Sequence, residues 1–104
     1  VENRLAGMDC NPYLGIAASL ACGYLGLMEK KQPKPEFKGD AYHGDGDIPQ
    51  VLGSALDLFE DAVGLHEVLG PEFARVYAIV KRAEYEEFLH VISPWEREFL
   101  LMNV

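Results

Sequence analysis

Positive charge is scarce in this sequence: nine lysines and arginines stand against seventeen aspartates and glutamates, for a net charge of −8. The basic residues occur singly or in pairs such as Lys30-Lys31 and Lys81-Arg82, and no basic stripe forms. Electrostatic binding to a phosphate backbone needs such a stripe, so no nucleic-acid partner is expected. Cysteine is nearly absent. Cys10 and Cys22 cannot build a disulfide framework, and their spacing fits no CxxC redox or zinc pattern. In an apolar run like that around Cys22, a free cysteine acts as a small hydrophobe. A reducing, cytoplasmic compartment is the expectation. Long hydrophobic runs are also missing. The uncharged run from Tyr13 to Met28 is shorter than the roughly 20 residues that span a bilayer, so no membrane partner is expected. Behind Val1 there is no basic stretch leading to a small-residue cleavage site, and no signal peptide is read.

What remains is the composition of one small folded unit. The chain has 104 residues, 49% hydrophobic and 25% charged, which suits a single domain and excludes disorder. Val1 to Leu5 reads as the end of a strand, with Glu2 and Arg4 two apart and therefore on one side. Asn11-Pro12 reads as a helix start, an N-cap followed by proline at the first helical position. The pattern predicts a helix to about Lys31, ended by Pro33 and Pro35. Its large apolar residues are distributed all round, and a helix without a polar face is normally surrounded by protein. The remaining helices are too few to surround it, which points to missing partners.

Gln32 to Asp47 reads as a loop. A helix capped by Ser54 follows, carrying Leu56, Phe59 and Val63 inward and ending near Gly64. A short apolar turn through Leu65, Val68 and Leu69 closes at Gly70. From Pro71, the residues Phe73, Val76, Tyr77, Val80 and Phe88 recur at the spacing of one buried helical stripe. Ser93-Pro94-Trp95-Glu96 reads as a capping box opening a last short helix. The chain ends in an apolar tail, Phe99-Leu100-Leu101-Met102.

Few side chains suggest chemistry. His43, His66 and His90 share no metal-ligand spacing. Asp40, Asp45 and Asp47 lack the register of a calcium loop and fit a solvated turn. Glu2 and Arg4 combine a hard carboxylate, which suits magnesium, with a fixed cation able to grip a carboxylate or phosphate. Taken alone, however, the pair reads as an exposed ion pair on a strand rather than as a site.

In order, Val1-Glu2-Asn3-Arg4, Asn11-Pro12-Tyr13-Leu14, Gly39-Asp40-Ala41-Tyr42, Ile48-Pro49-Gln50 with Gly53-Ser54-Ala55-Leu56, Val80-Lys81-Arg82-Ala83-Glu84 and Ser93-Pro94-Trp95-Glu96-Arg97 resemble the C-terminal segment of the glutamine synthetase family. The Ser93–Arg97 motif looks most like the gamma-glutamylpolyamine synthetase branch.

The resemblance covers essentially the whole chain. It implies a mostly α fold: residues 1–104 as the incomplete, C-terminal helical part of an α+β catalytic domain, with a short strand at its start. It implies an ATP-dependent ligase of nitrogen metabolism that joins glutamate to ammonia or an amine with Mg2+ or Mn2+. By resemblance, Glu2 is a metal ligand. Arg4 is a catalytic and substrate-binding residue that holds the glutamate side-chain carboxylate. The other ligands and the nucleotide site lie upstream in the family, so the isolated chain is expected to be inactive. The implied partners are the rest of the ligase and neighbouring subunits of a homo-oligomeric ring, on which Phe99, Leu101 and Met102 would dock. Tyr42 falls near a regulatory tyrosine of some bacterial members, but Ala41-Tyr42-His43-Gly44 departs from that pattern. The alternative reading is a free-standing helical interaction module without catalysis.

Overall fold

The computed structural model describes residues 2–40, 46 and 48–101. Five helices make up its regular structure: α1 (Pro12–Met28), α2 (Leu52–Glu60), α3 (Val63–Leu69), α4 (Pro71–Leu89) and α5 (Pro94–Phe99). Val1, Ala41, Tyr42, His43, Gly44, Asp45, Asp47 and Met102, which entered the expectations above, lie outside the described residues, as do Asn103 and Val104. The mostly helical expectation holds. The strand does not: residues 2–5 form no strand, and no strand occurs among the described residues. A strand is defined by a ladder to a neighbour, and no other extended segment here pairs with residues 2–5.

The first helix begins as its sequence predicts. Asn11 Oδ1 accepts from the backbone N–H groups of Tyr13 and Leu14 at 3.0 and 3.3 Å, and Pro12 takes the first helical position. The end comes earlier than expected, at Met28 with Glu29 as the cap. Lys30 adopts φ 54°, the left-handed region. Its N–H donates to the Leu27 carbonyl at 3.1 Å, and the Lys31 N–H donates to the Gly26 carbonyl at 2.9 Å. These two bonds form a Schellman motif with lysine where glycine is usual. The helix is therefore closed before Pro33 is reached.

Two expectations between residues 51 and 70 are corrected. Ser54 does not cap α2; it lies inside the helix, whose N-cap is Val51 without a side-chain bond. Gly64 does not end it, because a sharp break at Asp61–Ala62 separates α2 from α3. The residues read as an apolar turn form that second helix. His66 Nε2 lies 2.7 Å from the Phe59 carbonyl, and the two rings sit 5.0 Å apart, so the break is braced by a side chain. Gly70, at φ 95°, then joins α3 to α4 in a backbone conformation that L side chains rarely adopt.

The packing unit is α2, α3 and α4, with α1 laid on α3. Its buried residues, among those described, are Leu56 of α2 and three alanines, Ala74 and Ala78 of α4 and Ala21 of α1. The predicted α4 stripe is rotated. Tyr77 is half-buried, but Phe73, Val76, Val80 and Phe88 are exposed, and Ala74, Ala78 and Tyr85 face the neighbouring helices instead. Val63 likewise points outward, whereas Leu56 is buried and Phe59 half-buried as expected. Gly53 of α2 leaves room for the Tyr85 ring of α4: a Cβ there would stand 3.0 Å from it. The radius of gyration, 17.5 Å, exceeds the roughly 13 Å of a compact domain of about this length.

Candidate functional site

The segment of residues 2–5 holds the two candidate side chains, and Asn3 between them anchors it. Asn3 Nδ2 donates to Ser19 Oγ on α1 at 2.8 Å, and Ser19 Oγ donates to the Gly15 carbonyl at 2.8 Å. Asn3 Oδ1 also accepts from the Leu5 N–H at 3.0 Å. Sequence reasoning missed this tether. A polar residue between two charged ones was its only signal, and the contact reaches a helix sixteen residues away.

Glu2 and Arg4 come together as their spacing predicts. Arg4 Nε donates to Glu2 Oε1 at 2.5 Å, with the two side chains 84% and 72% exposed. No other partner holds the Arg4 guanidinium among the described residues. Its terminal nitrogens can therefore meet an incoming carboxylate side-on while Nε keeps its bond to Glu2.

Glu2 cannot hold a cation alone. Among the described residues no group of three histidine, cysteine or carboxylate side chains is placed to bind a metal ion. The α1 glycines make no phosphate cradle: Gly15, Gly23 and Gly26 lie within α1, where the helix already uses their N–H groups. Both cysteines are free and exposed. No helix among the described residues is long and apolar enough to cross a membrane.

A cleft of about 830 Å³ lies between α1 and the α2–α4 unit. Leu14, Leu65, Leu69 and Phe73 form its apolar lining, and Asp9, Lys81 and Glu84 stand at its edge. Lys81 Nζ bonds Glu84 Oε2 at 2.5 Å and lies 5.9 Å from the Tyr77 ring centre. The hydrogen bond to Glu84 raises the Lys81 pKa above its ordinary value.

Over residues 1–100 the chain matches the family model for the glutamine synthetase catalytic domain. It is 34% identical over 100 residues to a glutamate–isopropylamine ligase of Pseudomonas sp, covering 92% of this chain and 22% of that protein. It is 35% identical over 104 residues to the gamma-glutamylputrescine synthetase of Escherichia coli (strain K12), covering 99% of this chain and 22% of that one. Against a glutamine synthetase of Archaeoglobus fulgidus it is 32% identical, covering 92% and 21%. No solved structure matches. The chain belongs to the glutamine synthetase family. It spans about a fifth of the length of the curated relatives it matches.

Proposed function

We propose that residues 1–104 form the C-terminal part of the catalytic domain of an ATP-dependent ligase that joins glutamate to ammonia or an amine. In this reading Arg4 binds the glutamate side-chain carboxylate and Glu2 contributes one ligand to a Mg2+ or Mn2+ site. The carrying observation is the exposed Glu2–Arg4 pair, held on α1 by Asn3 at the place where the chain resembles the family's metal and substrate residues. Arg4 orients the carboxylate and stabilises charge that develops on it. When bound, the metal neutralises phosphate oxygens. One carboxylate does not make that site, so the remaining ligands and the nucleotide contacts come from outside these 104 residues. Relatives named for isopropylamine, ethanolamide and putrescine chemistry support an amine acceptor, in line with the Ser93–Arg97 motif.

Two measurements test the reading. In a full-length ligase carrying this segment, Arg4→Ala should cost on the order of 3 kcal/mol of transition-state stabilisation, about a hundredfold in rate, while ATP binding persists. Glu2→Ala should raise the divalent-metal concentration needed for half-maximal rate. Parental rates in both variants at limiting glutamate and metal would overturn the assignment. The 104-residue chain by itself should release no phosphate from ATP with glutamate and a panel of amines.

The same reading gives the tail a partner. Trp95 and Phe99 stack at 5.5 Å, and with Leu101 they stay largely exposed. They would bury against a neighbouring subunit of a homo-oligomeric ring. Deleting Phe99 to Val104 from the full-length ligase should lower its assembled mass by light scattering.

A further inference from the structure

Asn3 uses both ends of its amide, and each end has its own partner. Oδ1 accepts from the Leu5 N–H at 3.0 Å. That bond reaches two residues forward, so it closes a turn whose central residue is Arg4 and restrains the Arg4 backbone. Nδ2 donates to Ser19 Oγ at 2.8 Å, which ties the turn to α1. Ser19 is itself fixed. Its hydroxyl donates to the Gly15 carbonyl, four residues back, at 2.8 Å, a usual arrangement for serine inside a helix. With its proton committed there, Ser19 meets Asn3 as an acceptor. The bonds therefore share one direction, from the Asn3 amide through Ser19 to the helix backbone.

We propose, resting on the role given to Arg4 above, that Asn3 and Ser19 are positioning residues of the ligase site. The Asn3 turn sets the backbone from which the Arg4 guanidinium reaches the glutamate carboxylate, and Ser19 fixes that turn to α1. Glu2 and Arg4 bond each other while Asn3 between them bonds the helix, so the anchor uses none of the Arg4 donors. A groove of about 330 Å³ between this segment and α1 is bordered by Asn3, Gly15, Ile16 and Ser19, and by neither Glu2 nor Arg4. Anchor and charged pair thus occupy separate places, as a support and the group it aims must.

Magnitude separates this role from a merely structural one. Both Asn3 bonds lie among exposed groups, and such bonds exchange water for a protein partner with little net gain in stability. Turnover is far more sensitive, because displacing a catalytic group by about 1 Å costs up to about a hundredfold in rate. Loss of the anchor should therefore show in the rate and hardly in the melting temperature. The residue types matter as well. Asn3→Asp keeps the acceptor for the Leu5 N–H and loses the donor to Ser19, so it removes the tether alone. Asn3→Leu, of similar shape, removes both bonds.

The test is glutamate-dependent phosphate release from ATP by a full-length ligase carrying this segment. Asn3→Leu should lower kcat/KM for glutamate at least about tenfold, with the KM for ATP and the melting temperature at parental values. Ser19→Ala and Asn3→Asp should each give a smaller loss, since the turn about Arg4 remains. Ser19→Thr keeps the hydroxyl and its bond to the preceding turn, and should keep the parental rate. In an Arg4→Ala background, Asn3→Leu should lower the rate no further, because Asn3 acts through Arg4. Parental rates in Asn3→Leu and Ser19→Ala beside an impaired Arg4→Ala overturn the positioning role and leave the ligase reading standing. A parental rate in Arg4→Ala overturns both. A further loss from Asn3→Leu in the Arg4→Ala background, or a melting temperature that falls in step with the rate, reduces Asn3 to a structural residue and also overturns the positioning role.

Discussion

Ala74 has no exposed surface, and Ala78 very little. They are the points at which α4 lies against α2 and α3, and their small size lets the backbones approach. Ala74→Leu should therefore destabilise the chain by about 1–3 kcal/mol through overpacking, read as a lower urea midpoint with an unchanged slope. Helix caps act equally locally. Ser93 Oγ accepts from the Glu96 N–H at 3.2 Å, and Glu96 Oε2 accepts from the Ser93 N–H at 2.7 Å. Asn11 and Ser93 were both legible in the sequence, because a cap depends only on residues within one turn of it. Ser54 shows the limit of that reading. A favoured cap residue is passed over, and α2 starts three residues earlier from Val51, with no side-chain cap.

Between elements, the most connected contact is Arg82 of α4 on α2. Arg82 Nη2 reaches Asp57 Oδ1 at 2.5 Å and Glu60 Oε2 at 2.7 Å, while Nε reaches Glu60 Oε1 at 3.2 Å. The Arg82 hydrogen bond holds the Glu60 carboxyl below its ordinary value of 4.5. A carboxyl depressed in the folded state stabilises fully above its unfolded pKa, and that stabilisation is lost as pH falls through the lowered folded value. The melting temperature should thus fall as pH is lowered from neutral through the acid range. Arg82→Met should melt lower than the parent at neutral pH and show less of that acid loss. Equal slopes of Tm against pH in the two proteins would show that the clamp does not couple the helices. The pairing was not legible beforehand. The Phe73–Phe88 stripe gives no sign of it. The 22 and 25 residues separating Arg82 from its partners leave no periodic trace.

At the scale of the whole molecule, α5 stands apart, since α1 to α4 pack among themselves and α5 joins none of them to a comparable extent. Removing Phe99 to Val104 from the 104-residue chain should consequently shift its unfolding free energy by less than about 0.5 kcal/mol, as for a surface change. The same deletion in a full-length ligase should weaken assembly. The two outcomes together separate a docking element from a core element. Chemical denaturation of the chain and light scattering of the ligase measure them.

The sequence alone determined the helical class, the starts of α1 and α5, the adjacency of Glu2 and Arg4 and the family. All of these rest on local spacing or on short motifs read in order. Tertiary structure decided which face of each helix is buried. On α4 the buried positions are the alanines Ala74 and Ala78 and not the large apolar stripe. On α1, contact with α3 covered one side and left Tyr13, Ile16, Leu20, Tyr24 and Leu27 exposed. It also decided that residues 2–5 form no strand, for a strand needs hydrogen-bonding partners that these described residues do not supply. Periodicity shows that a helix has an apolar face; only the shape of the neighbouring elements determines which face they can reach.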